Sequence, residues 1–271
     1  MKRCKWAALF AAILLSASAL GESDFKLTGY ASFDVTSGYV LYGGLENDEP
    51  CYWSYLELAV KHDDFGSLGA AIWQSTDMTT CRKAIMRRMN EWDYYLFYRN
   101  SFALSKSAQL NFETGIIWYK FHGLKKEYES FYHTCEEVYV SLALENDFLT
   151  PHFHGFYDFK VAKDAFFYGG VRHKVELPLG IELVPDVVIG GGGRGHMELL
   201  FPPFDGTIDS SFAYFEASLK LGYWFNDYFG VHARVAWVSL LDDDLRRAVR
   251  ESDSSYKNDY VWGNIGVDFA F

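Results

Sequence analysis

From Phe25 to the C-terminus, apolar and polar residues alternate with period two, and helical spacing is nearly absent. Such alternation marks β-strands with two unlike faces. At the C-terminus Ile265, Val267, Phe269 and Phe271 share one parity, and Asn264, Gly266, Asp268 and Ala270 the other. Phe215, Ala217, Leu219, Leu221 and Tyr223 oppose Glu216, Ser218 and Lys220 in the same way. Twelve segments are predicted, near 25–42, 51–62, 67–77, 91–103, 109–121, 136–146, 151–161, 165–177, 181–192, 211–226, 230–240 and 259–271. Tight connections such as Asp63 to Gly66 and Pro178 to Gly180 alternate with long ones at 43–50, 78–90, 122–135, 193–210 and 241–258. One connection, at Lys163–Asp164, is short where the order calls for a long one. The order is that of an all-β, antiparallel up-and-down barrel of about twelve strands, with both termini on the short-turn side.

The charges decide what lies outside the barrel. One parity carries fourteen carboxylates and seven Lys or Arg; the other carries none unless the strand of Lys120 runs on. A lipid-facing wall excludes charge, at about 2–4 kcal/mol for each Lys or Arg near the midplane. The apolar parity instead carries Trp92, Tyr98, Trp118, Tyr157, Tyr223 and Trp237 near segment ends, as interfacial girdles require. The expected barrel is therefore transmembrane. Two residues resist the pattern: His173 sits on the apolar parity, and Pro185 interrupts a ladder ahead of the Gly190–Gly193 run. That strand is expected to kink, bulge or end early.

Composition agrees. The 271 residues are 18% aromatic, yet mean hydropathy is only -0.09, so aromatics need surroundings other than water. A net charge of -11 disfavours nucleic acid as a partner. Lys2, Arg3 and Lys5, the apolar run Trp6–Leu15 and Ala17-Ser18-Ala19 form a secretory signal peptide over residues 1–20, with cleavage after Ala19 or Gly21. The apolar run is shorter than the ~20 residues of a spanning helix. Residues 21–271 are left as one barrel domain, exported to the bacterial outer membrane. The expected partners are outer-membrane lipid and lipopolysaccharide; the oligomeric state is open.

The alternating end at Phe269 and Phe271 resembles the terminal strand of Gram-negative outer-membrane barrels, which implies recognition by the barrel-assembly machinery. Ala31-Ser32-Phe33-Asp34-Val35-Thr36-Ser37-Gly38-Tyr39-Val40 resembles the opening strand of small outer-membrane porins of the TorF-like type. That family usually continues into Arg-Gly, where this chain has Tyr42-Gly43. The resemblance implies a transport barrel.

Candidate chemistry adds little to this. No His-x-Ser places a base two residues from a nucleophile, so no catalytic residues and no enzyme activity are expected. His152 and His154 share a face without a third ligand nearby, and no metal or cofactor is expected. Gly190–Gly195 lacks the Lys-Ser/Thr of a phosphate loop, and no helix is predicted after it. Arg82, Lys83, Arg87 and Arg88 form a basic loop cluster, and Asp242–Asp244 reads as plain surface. Of the cysteines left after cleavage, Cys81–Cys135 is the first disulfide candidate and Cys51–Cys81 the second. The pore-lining candidates are Glu57, Glu91, Asp93, Arg99, Glu113, Glu137, Asp158, Arg172, Lys174 and Arg234. The expected function is passive diffusion of small solutes or ions. The acidic excess favours cations, unless Arg99, Arg172, Lys174 and Arg234 pair across the bore and close it. The alternative is a closed structural or adhesive barrel that binds a partner through its long loops.

Overall fold

A computed structural model describes residues 25–78, 86–124, 135–201, 209, 211–251 and 257–271. The signal segment, Cys81 and the side chains of Arg82, Lys83, Arg87, Arg88 and Cys135 lie outside the described residues. The strands are β1 (Phe25–Thr36), β2 (Tyr39–Leu41), β3 (Gly44–Asn47), β4 (Cys51–His62), β5 (Gly66–Asp77), β6 (Met86–Ser105), β7 (Ala108–Leu124), β8 (Cys135–Asn146), β9 (Thr150–Asp158), β10 (Asp164–Arg172), β11 (Val175–Leu177), β12 (Ile181–Gly192), β13 (Ser211–Trp224), β14 (Phe229–Leu240) and β15 (Asp259–Ala270). All but β2 and β3 form one antiparallel sheet, which closes because β1 pairs with both β4 and β15 and β12 pairs with both β10 and β13. The short strand β11 continues β10 along the same edge of β12, so the ring has twelve strand positions.

The polar parity faces inward, as its charges require. Asp34, Glu57, Asp93 and Asp268 are buried, whereas Leu56, Leu68, Val235, Val261 and Ile265 are exposed on the outer wall. Phe65, Phe148, Phe225, Tyr228 and Phe271 are exposed at the short-turn end, where an aromatic belt belongs. Lys120 departs from the expected clean outer parity, because β7 runs on to Leu124 and carries it along.

Three local deviations have physical causes. First, the segment expected over 25–42 is not one strand. β1 stops at Thr36, and β2 and β3 form a separate hairpin whose two-residue turn, Tyr42-Gly43, has φ of 49° and 82°. Positive φ at both positions suits the twist of a tight hairpin, and Gly43 provides it without strain. Second, Pro185 does lie within the closed ladder, paired with Leu219. Its carbonyl accepts from the His173 amide at 3.1 Å, so its missing N–H faces the gap at His173–Lys174 between β10 and β11. The register of β12 then shifts at Gly190–Gly191, the expected bulge. Third, the short outer connection after β9 is organised by Asp158, whose Oδ1 accepts from the amides of Lys160 at 2.8 Å and Val161 at 2.6 Å.

Among the described residues, two α-helices interrupt the all-β expectation: α1 (Arg194–Leu200), directly after the glycine run, and α2 (Asp243–Glu251). Asp242 is a helix cap rather than plain surface, its Oδ1 accepting from the amides of Asp244 at 2.9 Å and Leu245 at 3.0 Å.

Phe271 ends the outer wall in a specific way. Its backbone exchanges two hydrogen bonds with Gly29, at 2.9 and 3.0 Å, and its ring covers that glycine so closely that a Cβ there would lie 2.2 Å from Cζ. Gly29→Leu is expected to displace the exposed Phe271 ring while costing the folded barrel only about 0.5 kcal/mol or less, because the ring is free to swing aside. Deletion of Phe271 should reduce assembly. Urea unfolding in detergent and boiling-dependent SDS mobility measure the two effects.

Candidate functional site

The turn-side half of the bore is lined by paired charges. Arg99 donates through Nη1 and Nη2 to Glu57 at 3.0 and 3.2 Å, and through Nε to Glu113 at 2.6 Å. Tyr55 and Tyr139 donate to the same two carboxylates at 2.6 and 2.7 Å. Arg234 pairs with Glu216 and lies over the Trp262 ring, and Lys174, at the β10–β11 gap, pairs with Glu182. Arg172 reaches only to 4.0 Å from Glu145. Thus all four basic residues suspected of closing the bore have carboxylate neighbours.

A second cluster lies at the seam where the first and last strands meet. His232 Nε2 is 2.6 Å from Asp34 and its Nδ1 is 2.8 Å from Asp268. Only an imidazolium donates on both sides at once. Asn264 donates to Asp34 at 2.7 Å, and Tyr30 donates to Asp268. The clamp ties β1, β14 and β15 from inside the ring. Sequence reading passed over it because its residues come from positions 30 to 268 and share no local motif.

The loop-side half is filled. Hairpin β2–β3 crosses the bore from the β15 wall to the β8 wall. On the β15 side, Tyr260 donates to the Gly43 carbonyl at 3.0 Å. On the β8 side, the Tyr42 hydroxyl donates to Glu137 at 3.0 Å and lies 3.1 Å from Tyr119, which donates to the same carboxylate at 2.6 Å. Burial, with the nearby Glu137 charge, pushes the Tyr42 hydroxyl well above its ordinary pKa, which keeps it a donor. Tyr39 reaches a third wall and donates to Glu91 at 2.6 Å. Behind the hairpin, Leu45 joins Met197, Leu200 and Phe201 from around α1 and Leu245, Ala248 and Val249 of α2 in one apolar core. That core packs on the inward residues Val238, Leu240, Tyr214, Tyr260 and Trp262.

Glu91, Asp93, Glu137 and Asp158, named as pore-lining candidates, are buried on the inward parity around this hairpin. His152 binds Asp186 at 3.0 Å and His154 stacks on Tyr168 at 4.5 Å. Among the described residues, no group of three His, Cys, Asp or Glu side chains is placed to hold a metal. Cys51 is buried, with its Sγ 3.4 Å from Asp77 Oδ1, and its second-choice partner Cys81 lies outside the described residues. Cys81–Cys135 falls outside the described side chains. The elements sequence reading missed, the hairpin and both described helices, left one usable signal: Tyr42-Gly43-Gly44, a turn sequence where the supposed first strand gives way to the first long loop.

Fold and wall chemistry together define the class, a transmembrane antiparallel β-barrel with an apolar outer band and a filled bore. No family model matches the chain, and no curated protein matches it. Among solved structures it is similar to the KdgM porin in complex with disordered oligogalacturonate, at 9% identity over 90% of this chain and 99% of that one, with a TM-score of 0.48. It is also similar to outer membrane phospholipase A from Escherichia coli, at 14% identity over 89% of each chain with a TM-score of 0.44. A third is OprB of Pseudomonas putida, at 7% identity over 98% and 97%, with a TM-score of 0.41. At these values the functional reading rests on the chain's own residues.

The seam clamp and the Arg99 bridge differ in burial, and that difference is measurable. The carboxylates of the clamp are almost wholly buried, whereas the Arg99 side chain is 42% exposed. Removing one partner of a buried charge cluster costs about 3–5 kcal/mol. Solvent screening cuts the loss at Arg99 to about 1–2 kcal/mol. His232→Ala should therefore destabilise the folded barrel more than Arg99→Ala, as measured by urea denaturation in detergent.

Proposed function

We propose that the protein is an outer-membrane channel of the porin type that holds itself closed with its first loop. The hairpin's diametric crossing of the bore, from the Gly43 carbonyl on one wall to Tyr42 and Glu137 on the other, is the observation that carries this reading. The secretory signal, the apolar outer wall and the Phe271 strand support placement in the outer membrane. The likeness of Ala31–Val40 to the TorF-like porins is consistent with it. When the hairpin lifts, Glu91 and Glu137 lose the Tyr39 and Tyr42 hydroxyls and face the bore beside Asp93. Three carboxylates at one level attract cations, more strongly at low salt, because the Debye length falls from ~10 Å at 0.1 M to ~3 Å at 1 M.

A specific observation also favours the rival reading, a permanently closed structural or adhesive barrel: α1 and α2 fill part of the same half of the bore. Planar-bilayer recording separates the two. Wild-type protein is expected to show little current. A variant with residues 38–48 replaced by a short Gly-Ser linker is expected to conduct in steps and to prefer potassium over chloride in a KCl gradient. Glu91→Gln, Asp93→Asn and Glu137→Gln in that background should weaken the preference. A folded but silent deletion variant would leave the structural barrel standing, and chloride preference would remove the cation claim.

A further inference from the structure

Tyr39 occupies a place on the inner wall that has the features of a ligand site. Its ring centroid lies 6.0 Å from that of Trp73 and 6.2 Å from that of Trp53, and Trp53 in turn lies 5.8 Å from both Trp73 and Trp262. Two polar atoms near that ring are buried without a protein partner, Trp53 Nε1 and Ser75 Oγ, and the Asp93 carboxyl lies beside them, bonded to Glu91. The sheet register places them in one patch. Ser75 pairs directly with Trp53 on one side and Glu91 on the other, and Trp73 pairs with Asp93. Buried polar atoms are seldom left unpaired, and two of them on facing strands around one removable side chain call for an explanation.

The hairpin that delivers Tyr39 is removable in a structural sense. Its two strands pair with each other and belong to a different sheet from the barrel. Side-chain contacts and the Tyr260 bond to Gly43 hold it, so it can lift without breaking the barrel ladder.

The chemistry of the patch selects among ligands. Indole faces take the flat C–H face of a ring, and Glu91 and Asp93 accept hydrogen bonds. An anion is opposed by those carboxylates. An ammonium suits aromatics and carboxylates and can donate to Ser75 Oγ, but it has no lone pair for the donor Trp53 Nε1. A sugar hydroxyl both donates and accepts. Tyr39 itself, a flat ring with one hydroxyl given to Glu91, reproduces half of this pattern. We infer that Trp53, Trp73, Ser75, Glu91 and Asp93 form a binding site for an uncharged sugar ring, which Tyr39 fills from within while the bore is closed. The inference rests on the closed-hairpin reading of the preceding subsection and names the class of solute that the channel takes.

Titration of tryptophan fluorescence in detergent tests it, with maltotriose as the neutral probe, trigalacturonate as the acidic one and choline as the ammonium. Tyr39→Ala, with its fold checked by boiling-dependent mobility, should bind maltotriose at least tenfold more tightly than wild type. Adding Trp53→Leu should reverse that gain, and trigalacturonate and choline should bind at least tenfold more weakly than maltotriose. Should Tyr39→Ala fail to fold, the variant with the 38–48 linker gives a second readout, since maltotriose should interrupt its current or quench its fluorescence. Equal maltotriose affinity with and without Tyr39, indifference to Trp53→Leu, or preference for choline or trigalacturonate overturns the site. A linker variant that conducts but ignores maltotriose removes the site and leaves the gate. Sugar binding by Tyr39→Ala beside a silent linker variant removes the gate and leaves the site.

Discussion

A ring of twelve strands encloses more space than its own inward side chains can fill, since about eight strands is the size at which wall residues alone suffice. Everything distinctive about this chain follows from how that surplus space is occupied. On the loop side it holds protein: the hairpin, α1 and α2 bring in Leu45, Met197, Leu200, Leu245 and Val249, and the wall opposite them turns apolar with Val238, Leu240, Tyr260 and Trp262. On the turn side no such insert is present among the described residues, and the wall carries charges in pairs. The bore changes chemistry halfway along its length because its contents do.

The same constraint explains where the aromatic residues went. Read as a composition, 18% aromatic content asks for lipid-facing girdles. The outer wall does carry such residues, including Tyr157 and Trp237, but Trp53, Trp73, Tyr95, Tyr119, Tyr139, Tyr168, Tyr214 and Trp262 point inward. A tyrosine suits a crowded bore because its ring fills volume while its hydroxyl satisfies a buried carboxylate, as Tyr119 does for Glu137 and Tyr139 for Glu113. The close approaches need glycines. The Tyr214 ring passes over Gly190 and Gly43 at distances no Cβ would allow, so the glycine run in β12 and the hairpin turn serve one packed ring.

The barrel was legible because its signal is periodic: parity located the strands and the inward face, while Pro185 and the glycine run marked the irregularity that proves to be a bulge at Gly190–Gly191. The filling was not legible, because it depends on three-dimensional neighbours that have no period. Tyr42 meets Glu137 from 95 positions away, and His232 meets Asp34 from 198. The helices are short and begin from glycine or aspartate in segments read as loops, α1 at Arg194 and α2 at Asp243. Each buries only three residues; in α2 these are Leu245, Ala248 and Val249, at helical spacing but over a single stretch of nine residues, which is short against the repeated alternation around it. The one strong local cue, Tyr42-Gly43-Gly44, was absorbed into a loop of expected length.

The acidic excess on the inner parity therefore has to be read by level rather than summed along the bore. Glu57, Glu113, Glu182 and Glu216 each have an Arg or Lys partner, so their charge is largely cancelled where they stand. Asp34 and Asp268 share one histidine at the seam and hold the ring shut. Glu91 and Glu137 instead receive phenol hydroxyls from the hairpin, neutral donors that satisfy hydrogen bonding without cancelling charge. These are the inner carboxylates whose environment would change most if the hairpin left. A charge pattern that reads in sequence as one acidic lining separates in space into parts that hold the barrel together and a part that its own first loop covers.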